Sequence, residues 1–206
     1  MLISVAISNT NDPKAMTHFL ARDANNLLAL SNLITTGPWS PCVWEGVKRA
    51  KANYLSSDLC ALDFDTGEWS VTDALAMLTE NGLGGLIGAT RSPQRGKDGA
   101  APCDRFRVVV PWEGTITSLE AFEQNMARLV RYMPADPACK DGARFYWPCT
   151  EILHVTHGDP MTWEPYTQPP PRLPSRSAQY DRELHQVPTW MEAELRNVGP
   201  GSRNKT

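Results

Sequence analysis

Two aspartates, Asp63 and Asp65, are separated by one residue at the end of the apolar run LCALDF, and this spacing could do chemistry. Side chains alternate faces along a strand, so residues two apart project from one face, with Phe64 between them pointing into the core behind. Two carboxylates brought to one point repel unless a cation or a proton intervenes. Hard divalent ions such as Mg²⁺ and Mn²⁺ take oxygen ligands of this kind, keep several waters, and share their remaining positions with substrate phosphates. The pair therefore points to metal-assisted phosphoryl transfer. The plainer alternative is a polar strand end or turn, since D-x-D is a common tripeptide.

Other residue groups are less informative. Lys48, Arg49 and Lys51 form a small basic cluster interleaved with Trp44 and Tyr54, which fits either a template strand held by charge and stacking or a solvated helix face. His154 and His157, three apart, would face opposite sides of a strand and lack cysteine or acidic companions, so no metal role is assigned to them. The phosphate-loop string G-x-x-x-x-G-K-[ST] does not occur, which leaves an ATP-driven helicase motor out of this sequence.

The elements that must position these residues follow from periodicity. A short β-branched run at 2–7 reads as a first strand, and the apolar spacing at 14–33 reads as a helix, interrupted near RDANN. The segment TTGPWSPCVWEG reads as loop and short strand. Residues 59–64 form a compact strand ended by Asp65-Thr66-Gly67, and 71–81 a helix capped by Ser70. Two strands at 84–90 and 105–111 flank a polar loop, as in a long-looped hairpin. The clearest amphipathic helix covers 119–132, with Phe122, Met126, Leu129 and Val130 on one side. Strands at 144–147 and 152–155 close the globular part, 1–165, and a proline-rich linker with a short helix at 189–196 fills 166–206. Mixed strands and helices favour an α+β or α/β fold around a partly antiparallel central sheet.

Composition bounds the function classes. The 206 residues are 41% hydrophobic, enough for one catalytic unit with a tail, and a net charge of −3 argues against coating nucleic acid by bulk charge. Five cysteines without a C-x-x-C pair suggest neither a disulfide framework nor a zinc ribbon, and the simplest expectation is a reduced, cytoplasmic protein of a bacterial host cell. The start lacks a charged and apolar leader, and no stretch approaches the roughly 20 apolar residues of a membrane span.

The strings SSDLCALDFDTGEWSVTDALAML, GATRSPQRGKDGAAPCDRFRVVVP and ADPACKDGARFYWPCTEI, in this order and spacing, resemble the phage and plasmid primase-polymerases of the archaeo-eukaryotic primase superfamily. The resemblance runs roughly from Ser56 to Ile152. It implies an α+β core, RRM-like, with a central mixed or antiparallel sheet and flanking helices. In the superfamily an hhDhD strand supplies two metal-binding acids and a later D-x(7)-R segment a third. Carried onto this chain, those are Asp63, Asp65 and Asp136 as catalytic metal ligands for two Mg²⁺ or Mn²⁺ ions, with Arg144 eight positions after Asp136; Asp141 is the competitor for the third acid. The family's S-x-H strand is replaced by Arg105-Phe106-Arg107, so Arg105 and Arg107 are assigned as a triphosphate clamp, unless one of them pairs with an acidic neighbour. In the T-x-S-H-Q-like string, Pro93 stands where a histidine would, which leaves Ser92 and Lys97 of the basic loop as further nucleotide contacts.

The resemblance implies a template-dependent nucleotidyltransferase that joins NTP or dNTP to a primer 3′-hydroxyl on single-stranded DNA. It would act as a monomer away from membranes, with a replicative helicase in the same or another chain as a further partner. The missing motif histidine keeps open a catalytically weak nucleic-acid-binding initiator module. The common D-x-D tripeptide keeps open another metal enzyme, such as a nuclease or a sugar-nucleotide transferase.

Overall fold

The apolar run that ends in Asp63 becomes the long strand β5 (Tyr54–Phe64), and the rest of the fold is arranged around it. The computed structural model of the chain describes residues 1–7, 10–91 and 103–165. Ser92, Pro93, Lys97, the linker and the helix expected at 189–196 lie outside those residues.

The fold is α+β, with two antiparallel sheets and three α-helices among the described residues. A small sheet orders β2-β1-β3, from β1 (Leu2–Ala6), β2 (Phe19–Asp23) and β3 (Trp39–Ser40). The main sheet orders β4-β5-β7-β6-β8, adding β4 (Cys42–Trp44), β6 (Gly85–Ala89), β7 (Phe106–Ile116) and β8 (Glu151–Thr156). The helices α1 (Leu27–Thr36) and α2 (Val71–Glu80) pack against β6 and β8, while α3 (Leu119–Tyr132) packs against β5 and β7. Leu59, Cys60, Ala61 and Leu62 are buried in succession along β5, as a strand covered on both faces requires.

Local chemistry explains several boundaries. Ser70 caps α2 through a reciprocal box, its hydroxyl accepting from the Asp73 amide while the Asp73 carboxylate accepts from the Ser70 amide. Asn26 caps α1 by accepting from the Ala29 amide at 2.8 Å. The helix expected at 14–33 is a strand followed by a shorter helix, because residues 19–23 pair with β1 in unbroken register from Ala6↔Phe19 to Leu2↔Asp23. Apolar positions at 16, 19 and 20 fit a helix locally, but pairing with β1 satisfies the backbone of 19 and 20 at long range, and the Met16 carbonyl accepts from Arg49 Nε.

The main sheet is antiparallel throughout, one of the two forms expected. Two further expectations change. β7 continues past Pro111 to Ile116, because the register against β5 shifts between Leu59↔Pro111 and Ser57↔Ile116; proline is tolerated at such an irregularity. Residues 144–147 form no strand; Tyr146 makes only an isolated bridge with Trp39.

Candidate active site

The site begins with a cross-strand pair. Asp63 on β5 stands in register with Arg107 on β7, and Arg107 Nε donates to Asp63 Oδ1 at 2.6 Å. Arg107 is 4% exposed; its Nη1 donates to the Trp147 carbonyl at 2.8 Å, and its guanidinium lies 4.3 Å from the Tyr146 ring centre and 5.5 Å from that of Trp39. Burial pulls the Arg107 guanidinium down, but the charge and hydrogen bond of Asp63, with Cys149 and Tyr146, together outweigh it and hold the pKa above the usual value. Gly88, opposite Arg107 on β6, leaves room for Cys149, whose Sγ would sit 2.7 Å from a Cβ there.

Behind Asp63, Phe64 is buried as its position in the strand requires. It stacks on Phe106 with centroids 4.8 Å apart and on Trp69 at 5.6 Å.

The other edge of β5 explains how Asp136 arrives. β4 pairs with β5 only as far as Ser57, which would leave the backbone of Asp63 without a strand partner on that side. The short 3₁₀ turn Pro137–Lys140 takes that edge instead. The Asp136 amide donates to the Asp63 carbonyl at 2.8 Å, and the Asp63 amide donates to Cys139 Sγ at 3.2 Å. Asp136 caps this turn, Oδ1 accepting from the Ala138 amide at 2.9 Å, and Pro137 occupies the first position, where its missing N–H costs nothing.

Arg144 closes the arrangement. Its Nη2 donates to Asp136 Oδ2 at 2.9 Å and to Asp63 Oδ2 at 3.3 Å, so one guanidinium bridges the two acids. Burial lowers its pKa, but Tyr146 and Asp63, with Cys139 and Asp136, outweigh it and the net shift is upward.

Asp63, Asp65, Asp136, Arg91, Arg105, Arg107, Arg144 and Trp147 line one cleft of about 400 Å³. Of the residues singled out from sequence, the structure brings together the three acids and the three arginines Arg105, Arg107 and Arg144. Asp65 lies one residue past the end of β5, not on it, and its carbonyl accepts from Cys103 Sγ at 3.6 Å. Asp141 is elsewhere: it pairs with Lys51 at 3.3 Å and does not line the cleft.

Two assignments are corrected. Arg107 is not an open phosphate clamp, because Asp63 and the Trp147 carbonyl occupy its buried guanidinium. The cluster at 48–51 is not a free basic face: Arg49 donates to the Met16 and Ala143 carbonyls, and Lys51 pairs with Glu123 at 2.6 Å. Lys48 is exposed. His154 and His157 do not line the cleft.

Sequence reasoning missed Cys139. One ligand atom each from Asp63, Asp136 and Cys139 lies within 4.8 Å of the others, a group that could hold a metal ion, and Asp65 stands outside it. Burial and the Asp63 charge push the Cys139 thiol up to about 11. The signal was Asp136-Pro137: an N-cap followed by proline starts a helical turn that brings Cys139 back beneath Asp136.

No family model matches the chain, and no curated protein does. Among solved structures it is similar to the AEP domain of the cyanophage S-2L primase-polymerase (PrimPol). The two are 10% identical, over 71% of this chain and 70% of that one, with a TM-score of 0.36.

Proposed function

We propose that this chain is a nucleotidyltransferase of the primase-polymerase kind, joining NTP or dNTP to a primer 3′-hydroxyl on single-stranded DNA. The observation that carries the reading is the convergence of Asp63, Asp65 and Asp136 with Arg105 and Arg144 on one cleft. Carboxylates beside arginines suit a metal–polyphosphate chelate, in which the acids take the cation and the guanidiniums take the phosphates. The arginines also carry an unmet need. Nε of Arg105 and Nε of Arg144 are buried without a hydrogen-bond partner, and rotation toward a bound phosphate would satisfy both.

The donor set fits a hard divalent cation. Asp63 and Asp136 supply oxygens within 4.8 Å of each other, Asp65 adds a third carboxylate at the cleft wall, and Cys139 is a soft donor that Mg²⁺ does not use. When bound, a divalent pair supplies an activated hydroxyl and neutralises charge on the leaving pyrophosphate. The chain's own residues would do the rest. Arg107 fixes the Asp63 carboxylate, Arg144 moves from the acids to the phosphates, and Arg105 binds phosphate from its own place in the cleft lining.

One feature favours a second reading, a binding module without turnover: both Asp63 oxygens are already taken by arginines. Primer extension separates the two. With primed single-stranded DNA, Mn²⁺ and labelled nucleotides, extended product is expected, and Asp65→Ala or Asp136→Asn should lower it at least a hundredfold with the fold retained. No product with any metal or nucleotide would refute the enzyme reading. Degradation of the DNA instead would identify a nuclease.

A further inference from the structure

We infer that Trp147, which lines the same cleft as the acids, is the stacking platform for the base of the nucleotide that enters; this rests on the cleft being the nucleotide site. Trp147 is half-buried and lines the cleft with Thr90, Arg91 and Pro148. A large indole in a cleft otherwise lined mainly by charged side chains needs an apolar, planar partner. The ring is held in place: the Phe145 ring meets it edge-on, centroids 5.4 Å apart at 76°. Its backbone is tied to the acids as well. The Trp147 carbonyl accepts from Arg107 Nη1 at 2.8 Å, and Arg107 Nε holds Asp63 at 2.6 Å, so the indole and the metal-binding acid are linked through one buried guanidinium.

The face of the ring already shows what it takes. The Arg91 guanidinium lies over it, 5.2 Å from the centroid, too close to admit a base between them. An exposed cation–π contact strengthens association roughly two- to fivefold, whereas a base stacked on an aromatic ring contributes roughly 5- to 150-fold. The base therefore displaces Arg91 from the ring, and the released guanidinium remains at the mouth of the cleft beside the phosphates. A cleft of about 400 Å³ is near the lower end of small-molecule pockets, roughly 300–1,000 Å³, which favours one nucleotide over a length of strand.

Calorimetry of the full chain with Mn²⁺, comparing ATP with inorganic triphosphate, tests the platform. Trp147→Ala should weaken ATP roughly 2.5- to 75-fold, the stacking gain less the displaced Arg91 contact, and leave inorganic triphosphate within about twofold, while Trp147→Phe keeps most of the ATP affinity. Retained triphosphate binding shows that the alanine variant is folded. ATP binding no tighter than triphosphate in the wild type, or equal losses for both ligands in Trp147→Ala, would overturn the platform alone. Failure of the wild type to bind triphosphate at all would overturn the nucleotide reading of the cleft and the platform with it.

Discussion

Replacing Arg107 with methionine keeps most of the side-chain volume and removes the charge, so the loss measures what Asp63 gains from its partner. The pair is 2.6 Å apart, with side chains 5% and 16% exposed, and so is nearly shielded from solvent. Removing one partner of such a pair strands the other and costs about 3–5 kcal/mol. Arg144 still reaches Asp63 at 3.3 Å and offsets part of this, which places the expected loss near the lower figure, about 3 kcal/mol. With a urea slope of about 2 kcal/mol per molar, the midpoint should fall by roughly 1.5 M. Because the cost lies in a stranded carboxylate, the double variant Asp63→Asn/Arg107→Met should be about 1–2 kcal/mol more stable than Arg107→Met alone. A single variant within about 0.5 kcal/mol of the wild type, or two strictly additive losses, would refute the brace. Unchanged stability with weakened triphosphate binding would return Arg107 to the role of an open clamp.

The bridge made by Arg144 competes with a cation for the same oxygens; at 29% exposure, breaking it costs about 1 kcal/mol, so Arg144→Ala should bind Mn²⁺ roughly fivefold more tightly, and weaker binding in a Mn²⁺ titration would contradict that. Ser70→Ala should lower stability by about 1 kcal/mol at neutral pH through loss of the α2 cap. Bonding from Ser70 holds the Asp73 carboxyl below its ordinary 3.8, so its share of the box is present above that value and fades as pH falls through the folded value. The gap between variant and wild type should therefore narrow in melts taken from pH 7 down to pH 3; a constant gap would exclude a role for Asp73. Only Cys103 of the five cysteines is partly exposed, so a thiol-reactive dye should label one site quickly and four only on unfolding, and two fast sites would mean that Cys139 or Cys149 is open.

What could be read from sequence was what local pattern decides. α2 and α3 follow from caps and a 3.6-residue period, and β5 from an apolar run ended by a turn, so the position of Asp63 was legible. Residues 19–23 were not, because their spacing suits a helix and only pairing with β1 makes them a strand. Nor could sequence show that Arg107 faces Asp63 rather than solvent. That depends on β5 and β7 meeting with Asp63 opposite Arg107, across 44 residues of chain. Asp136 was legible only through resemblance; its physical cause, the free edge of β5 beyond β4, is a property of the assembled sheet.

The charges around the cleft limit what can enter it. Arg91, Arg105, Arg107 and Arg144 face Asp63, Asp65 and Asp136, which leaves one net positive charge. A divalent ion alone meets a positive surround and must displace Arg144 from both acids. A nucleotide triphosphate alone meets Arg107 and Arg144 while they are still held by the carboxylates. Together they exchange partners: the cation takes the acids, the freed guanidinium takes phosphate, and nearly every charge keeps an opposite neighbour. On the proposed function, metal and nucleotide therefore enter together, each raising the affinity for the other by the same factor. The two arginines that hold Asp63 divide the work accordingly, with Arg107 buried and fixed and Arg144, 29% exposed, free to change sides.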